Sequence, residues 1–130
     1  MIDTLTARDC MTAQLVTFRP DQHVLDAVRV LVTKRISGAP VLDQFGNLVG
    51  VLTEQDCLKI ALEAGYNQSP GGKVREYMST GIHTLDINTP VVEIAQVFLN
   101  KPFRRYPVME QGRLVGIVSR RNVLEALEAP

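Results

Sequence analysis

The chain has 130 residues, 45% of them hydrophobic, enough to bury a core. Fourteen Lys/Arg balance fourteen Asp/Glu, so net charge argues neither for nucleic acid nor for an anionic membrane surface. No apolar run reaches a membrane span, and Met1-Ile2-Asp3-Thr4-Leu5 lacks the basic and apolar regions of a secretion signal, so a cytoplasmic protein is expected.

Ala7–Met11 predicts a short lead-in helix and Leu15–Phe18 a first strand. Asp21 offers an N-cap, and Val24, Ala27, Val28, Leu31 and Val32 then recur at helical spacing. Ser37-Gly38 breaks that helix ahead of a strand over Ala39–Leu42. Asp43-Gln44-Phe45-Gly46-Asn47 reads as a hairpin turn and Leu48–Leu52 as the third strand. A closing helix is expected over Glu54–Ala64, with Leu58, Ile60, Ala61 and Leu62 mostly inward and Gly65 as its stop. Tyr66-Asn67-Gln68-Ser69-Pro70-Gly71-Gly72 is polar and Gly/Pro-rich, the composition of an exposed connection.

The same order then returns: lead-in helix Val74–Met78, strand Ile82–Leu85, helix Pro90–Asn100, strands Tyr106–Met109 and Leu114–Val118, helix Arg121–Leu127. A shift of 67 residues aligns Asp9-Cys10-Met11-Thr12 with Glu76-Tyr77-Met78-Ser79 and Pro40-Val41 with Pro107-Val108. One residue drops out after Gln44/Gln111, and a shift of 66 then aligns Gly46-Asn47-Leu48-Val49-Gly50 with Gly112-Arg113-Leu114-Val115-Gly116. Two domains follow, residues 7–64 and 73–128, with 65–72 as linker. Start at Met1 and the helical finish suggest a stand-alone module.

In each unit the first two strands and the helix between them form a right-handed crossover, so they run parallel, and the third strand hairpins back. Thr53 and Asp56 therefore share a rim with Ser37, and Ser119 and Asn122 share one with Arg104 and Arg105. A single unit would leave a sheet face uncovered, so the two are expected to pack face to face.

The chemistry gathers where the third strand meets the closing helix, in Gly50-Val51-Leu52-Thr53-Glu54-Gln55-Asp56 and Gly116-Ile117-Val118-Ser119-Arg120-Arg121-Asn122. Gly50 and Gly116 permit close approach of another backbone or a ligand. Thr53 and Ser119 stand at N-cap positions with Asp56 and Asn122 three residues on, an arrangement that caps a helix and also suits a sugar hydroxyl or an anion. Cys10 and Cys57 have neither metal-ligand spacing nor a CxxC, and read as buried small hydrophobes. No acid–base pair, nucleophile dyad or metal set stands out, so neither a catalytic nor a metal residue is assigned. A thiol enzyme using Cys10 or Cys57 lacks a base near either.

On these paired motifs, on Ser37-Gly38-Ala39-Pro40-Val41 with Arg104-Arg105-Tyr106-Pro107-Val108, and on the lead-in segments, the chain resembles the CBS-domain family in its tandem (Bateman module) form over about residues 7–128. The resemblance implies an α/β (α+β) fold of two pseudo-symmetric β-α-β-β-α units with lead-in helices, packed through their sheets. It also implies a regulatory module binding AMP, ADP, ATP or S-adenosylmethionine between the units, with no required cofactor. One site would join Thr53, Asp56, Ser79, Ile82, His83, Phe103, Arg104 and Arg105. The other would join Thr12, Leu15, Val16, Ile36, Ser37, Ser119, Arg121 and Asn122. Family modules usually pair as homodimers, here expected through Val28/Leu31/Val32 and Ala95/Phe98/Leu99, and the readout would lie in a regulated partner protein or in self-association.

Two features rank the ligands and the sites. A carboxylate accepts from both ribose hydroxyls, so Asp56 is the better ribose reader and Asn122 the weaker. Residues 1–66 hold six Lys/Arg against eight Asp/Glu and residues 67–130 hold eight against six, so the halves carry −2 and +2. The second-half excess lies in Arg104-Arg105 and Arg120-Arg121, which favours a phosphate-bearing ligand over the cationic S-adenosylmethionine. The competing function is a structural dimerisation module with vestigial sites.

Overall fold

A computed structural model describes residues 2–66 and 71–128 and divides the chain into two units, Val16–Ile82 and a two-segment unit of Met1–Leu15 with His83–Pro130. Half of the expected 65–72 linker, residues 67–70, lies outside the described residues, as do residue 1 and residues 129–130. The compact units do not coincide with the sequence repeats, because each lead-in segment packs with the core of the other repeat.

In the 16–82 unit, helix α2 (Val24–Lys34) buries Val24, Ala27 and Leu31. Its N-cap is His23, whose Nδ1 accepts from the Leu25 N–H at 3.2 Å, and not Asp21 as the sequence suggested. It ends at Lys34, where Arg35 turns left-handed (φ 56°), ahead of the Ser37-Gly38 break. Strand β1 (Gly38–Leu42) pairs antiparallel with β2 (Leu48–Thr53), Gly38 opposite Thr53. The expected first strand reduces to one parallel bridge between Phe18 and Val41.

The closing helix comes in two pieces, α3 (Glu54–Cys57) and α4 (Lys59–Tyr66), and Gly65 lies inside α4 without stopping it. Ile60 is buried as expected, but Leu58 and Leu62 are 67% and 70% exposed and Ala61 is exposed too. The core consists of Phe18, Val24, Ala27, Leu31, Ala39, Val41, Leu52 and Ile60 together with Val74 and Tyr77 from the second lead-in segment. That segment is a single 3-10 turn over Val74–Glu76 in place of the expected α-helix.

In the two-segment unit a 3-10 turn (Ile2–Thr4) precedes helix α1 (Ala7–Cys10), whose Ala7 is fully buried. Strand β3 (Leu85–Asp86) runs parallel to β4 (Arg105–Glu110), which pairs antiparallel with β5 (Arg113–Ser119). Gln111 (φ 49°) and Gly112 (φ 79°) make the tight turn between them, the two positive φ values that match the right-handed twist of the strands. Helix α5 (Val91–Asn100), with Pro90 at its N-cap, buries Val91, Ile94 and Phe98, and helix α6 (Arg120–Glu128) buries Val123. Leu31 and Phe98, two residues expected on an association face, are thus core residues of their own units, whereas Val32 and Leu99 stay 72% and 86% exposed. Among the described residues no helix is long and apolar enough to cross a membrane.

The motif glycines explain how the exchanged segments dock. A Cβ on Gly50 would stand 2.5 Å from Met78 Sδ and 3.1 Å from the Ser79 carbonyl oxygen. One on Gly116 would stand 2.5 Å from Met11 Sδ and 3.0 Å from the Thr12 carbonyl oxygen. Val51 and Ser79 bond backbone to backbone both ways, as do Ile117 and Thr12. The space left by each missing side chain is filled by the other repeat's lead-in segment.

Candidate functional site

The 16–82 unit builds its polar centre on a reciprocal helix cap. Thr53 is the N-cap of α3 and its Oγ1 accepts from the Asp56 N–H at 3.2 Å. Asp56 Oδ2 in return accepts from the Thr53 N–H and hydroxyl, each at 3.0 Å. Its other oxygen, Oδ1, accepts from the Ser79 hydroxyl at 3.1 Å. Asp56 is only 8% exposed, the one buried charged side chain among the described residues. A carboxylate has about four acceptor positions, so three donors leave room on Oδ1 for one further hydroxyl, short of the pair anticipated from the residue type alone.

The two-segment unit repeats the cap with an amide. Asn122 Oδ1 accepts from the Ser119 N–H at 2.8 Å and from its hydroxyl at 3.0 Å, and Ser119 Oγ accepts from the Asn122 N–H at 3.2 Å. The Asn122 amide donates to Glu125 Oε1 at 3.3 Å. Two donors share its one acceptor oxygen, so this centre has less spare acceptor capacity than the one built on Asp56.

The rims follow from the strand pairings. Ser37 accepts at its carbonyl from the Glu54 N–H at 2.9 Å, and Arg104 from the Arg120 N–H at 3.3 Å. Arg105 faces Ser119 across β4 and β5. Arg104, Arg120 and Arg121 are exposed and Arg105 half-buried. His83 lies against Phe103 with ring centroids 5.0 Å apart, and Phe103 meets Tyr106 edge-on at 5.8 Å. Of the remaining candidates, Val16, Ile36 and Ile82 are half-buried in the 16–82 unit, and Leu15 is half-buried and Thr12 exposed in the two-segment unit.

One polar contact beside the Asp56 centre has no local signal in the sequence. Tyr77, 6% exposed, donates its hydroxyl hydrogen bond to Glu63 on α4, and that bond pushes the phenol up to about 12. Burial also pushes the Cys10 and Cys57 thiols up, which keeps them protonated and weakly nucleophilic. Among the described residues no three His, Cys, Asp or Glu side chains gather as a metal-ligand set.

Comparison with known proteins matches the chain over nearly its whole length. The family model of the CBS domain matches residues 7–63 and again 74–129. CBS domain-containing protein YhcV of Bacillus subtilis is 31% identical over 115 residues, covering 88% of this chain and 79% of that protein. The structure of CBSX2 in complex with AMP superposes with a TM-score of 0.84 at 33% identity, over 95% of this chain and 96% of the other; a CBSX2 structure from Arabidopsis thaliana gives 0.83. An uncharacterized protein of Methanocaldococcus jannaschii, MJ1225, is 23% identical over 120 residues, and this chain spans 42% of its length.

Proposed function

The chain belongs to the CBS-domain family as a tandem pair, and from that premise we propose that it is a cytoplasmic regulatory module that binds AMP, ADP or ATP and carries out no chemistry itself. The observation that carries this is the Asp56 centre: a buried carboxylate, oriented by Thr53 and Ser79, with an acceptor position left on Oδ1. It is the feature of this chain best suited to hold a ribose hydroxyl. The AMP complex of CBSX2 supports the choice of an adenosine ligand. Arg104, Arg105, Arg120 and Arg121 support a phosphate-bearing ligand over S-adenosylmethionine, since guanidinium forks match phosphate oxygens. In the 16–82 unit Val16, Ile36, Ser37 and Ile82 are proposed to offer ligand-contacting surface, and in the two-segment unit His83, Phe103, Ser119, Arg121 and Asn122.

Calorimetric titration with AMP, ADP, ATP, adenosine and S-adenosylmethionine tests the reading. AMP is expected to bind more tightly than adenosine at low salt, with the gap narrowing as salt rises and closing in Arg104→Ala. Equal affinity for AMP and adenosine in the wild type would remove the arginines from the site, and no heat with any nucleotide would remove the reading. Signalling would then pass through a partner protein or a second copy. Exposed Val32, Leu58 and Leu62 in one unit and Leu99, Leu124 and Leu127 in the other support a homodimer, with an expected interface above roughly 1,200 Å² in total. A monomeric mass by light scattering at tens of micromolar would exclude it.

The second reading, a structural dimerisation module with vestigial sites, draws on Asn122, whose acceptor oxygen already serves the cap. It expects no nucleotide heat together with a dimeric mass.

A further inference from the structure

The duplication supplies an internal control at the hairpin ends of the two units, away from the Thr53 and Ser119 rims. Under the repeat alignment Arg75 corresponds to Arg8, Asp43 to Glu110 and Arg19 to Asp86. In the two-segment unit that end is closed: Arg8 Nη2 and Glu110 Oε2 form a salt bridge at 3.0 Å, and Asp86 Oδ2 caps its own turn by accepting from the Asn88 N–H at 2.9 Å.

In the 16–82 unit the same end is open. Asp43, one methylene shorter than Glu110, is held by its hairpin. Its Oδ1 accepts from the Phe45 and Asn47 N–H groups, both at 2.9 Å, and its Oδ2 from the Asn47 side chain at 3.1 Å. Arg19 stands where the other unit has an acid. Among the described residues the ion pairs Arg8–Glu110 and Arg29–Asp26 include neither Arg19 nor Arg75, and both of these arginines are exposed.

Between them lies a cleft of about 340 Å³ lined by Arg19, Pro20, Asp21, Asp43, Phe45 and Arg75, with Gln44 at the turn. Phe45, 69% exposed, is the residue that the shorter second hairpin lacks. Strand β2 separates this cleft from Thr53 by six residues, roughly 20 Å of extended chain.

We propose that this cleft is a further ligand site, independent of the Asp56 and Asn122 centres, which takes a single oxyanion group, phosphate or carboxylate, carried on a flat apolar body. Arg19 and Arg75 both line the cleft and among the described residues neither forms a salt bridge, although the Arg19 charge, after the Asn47 N–H, helps to lower the Asp43 carboxyl; their forked donors suit an oxyanion. The Phe45 ring supplies an apolar wall. The cleft is an open surface groove, so a bound group would be only partly covered. Asp21 and Asp43 offset the two arginines in formal charge, so the cleft suits one small oxyanion held by direct guanidinium contacts and not a polyphosphate.

The test is an NMR titration of the isotope-labelled full chain at low salt, with phenyl phosphate, benzoate and inorganic phosphate as separate probes. Saturating shifts are expected at the amides of Asp21, Gln44–Asn47 and Arg75, with phenyl phosphate and benzoate distinguishing the two oxyanions. Arg75→Gln should weaken binding about tenfold, the loss of one charge-assisted contact. Arg19→Asp, which installs the acid found in the other unit, should abolish it. Phe45→Ser should bring phenyl phosphate down to the affinity of inorganic phosphate. Shifts that persist in both arginine variants, shifts confined to Arg104–Tyr106 and Ser119–Asn122, or no saturable shift at the cleft with any probe would each overturn the proposal. Equal affinity of phenyl and inorganic phosphate in the wild type would overturn the apolar part of it.

Discussion

Replacing Asp56 by Ala perturbs folding and binding by separable amounts. The side chain accepts three hydrogen bonds, from the Thr53 N–H, the Thr53 hydroxyl and the Ser79 hydroxyl. Loss of a helix cap costs about 1 kcal/mol, and hydrogen bonds to a charged acceptor contribute about 1.5–3 kcal/mol each. Ser79 is exposed, so its released hydroxyl turns to water and recovers most of its share. The expected net loss is about 2–3 kcal/mol, lowering a urea midpoint by about 1–2 M. Asn122→Ala removes two bonds to a neutral acceptor and an exposed one to Glu125 that water replaces, and should cost about 1 kcal/mol. Asp56→Asn copies the other unit's cap, so it should fold nearly as well as wild type while binding AMP about tenfold more weakly, the price of replacing a charged acceptor by a neutral one. Urea melts and calorimetry on the three variants check this. Equal stability of Asp56→Ala and Asn122→Ala would refute the bookkeeping of the cap, and unchanged AMP affinity in Asp56→Asn would refute the ribose role.

Gly50→Ala and Gly116→Ala each press a Cβ against a methionine sulfur and a fixed carbonyl, and each should lose about 1–3 kcal/mol in denaturant melts. Met78→Ala in the Gly50→Ala background should not restore full stability, because the Ser79 carbonyl remains 3.1 Å away. Tyr77 titrates near 10.0 when unfolded and at about 12 in the fold, so the fold favours its protonated form. Its contribution is therefore complete below pH 10 and is lost as pH rises from 10 through 12; melts across that window should show the decline, much reduced in Tyr77→Phe. The Tyr106 hydroxyl is buried with no hydrogen-bond partner among the described residues, so Tyr106→Phe should be neutral or stabilise by up to about 1 kcal/mol; a clear loss in thermal melts would show that the hydroxyl is satisfied.

Much of this chain is legible locally. The caps at Thr53/Asp56 and Ser119/Asn122 depend on a hydroxyl and an acceptor three residues apart, a spacing that forms its bonds within one helical turn wherever the segment lies. The hairpins are likewise set by their own turn residues. Features settled by burial escaped the same reading. The closing helix breaks at Leu58 and leaves Leu58 and Leu62 exposed, although their spacing alone suggested an inward face. The first strand holds a single bridge at Phe18, because that bridge and the burial of one ring are what the core requires of it.

By itself the sequence determined the repeat, the order of elements and the two polar motifs, since each depends on neighbours a few residues apart. Only the tertiary structure decided which core each lead-in segment completes. Both repeats offer a glycine on an edge strand of the same design, so local preference cannot choose between them. The choice belongs to long-range backbone pairing, Thr12 with Ile117 and Ser79 with Val51, and to the burial of Ala7, Val74 and Tyr77. The same pairing carries Ser79 to within hydrogen-bonding distance of Asp56, a contact 23 residues apart in sequence that exists only because the chain crosses over.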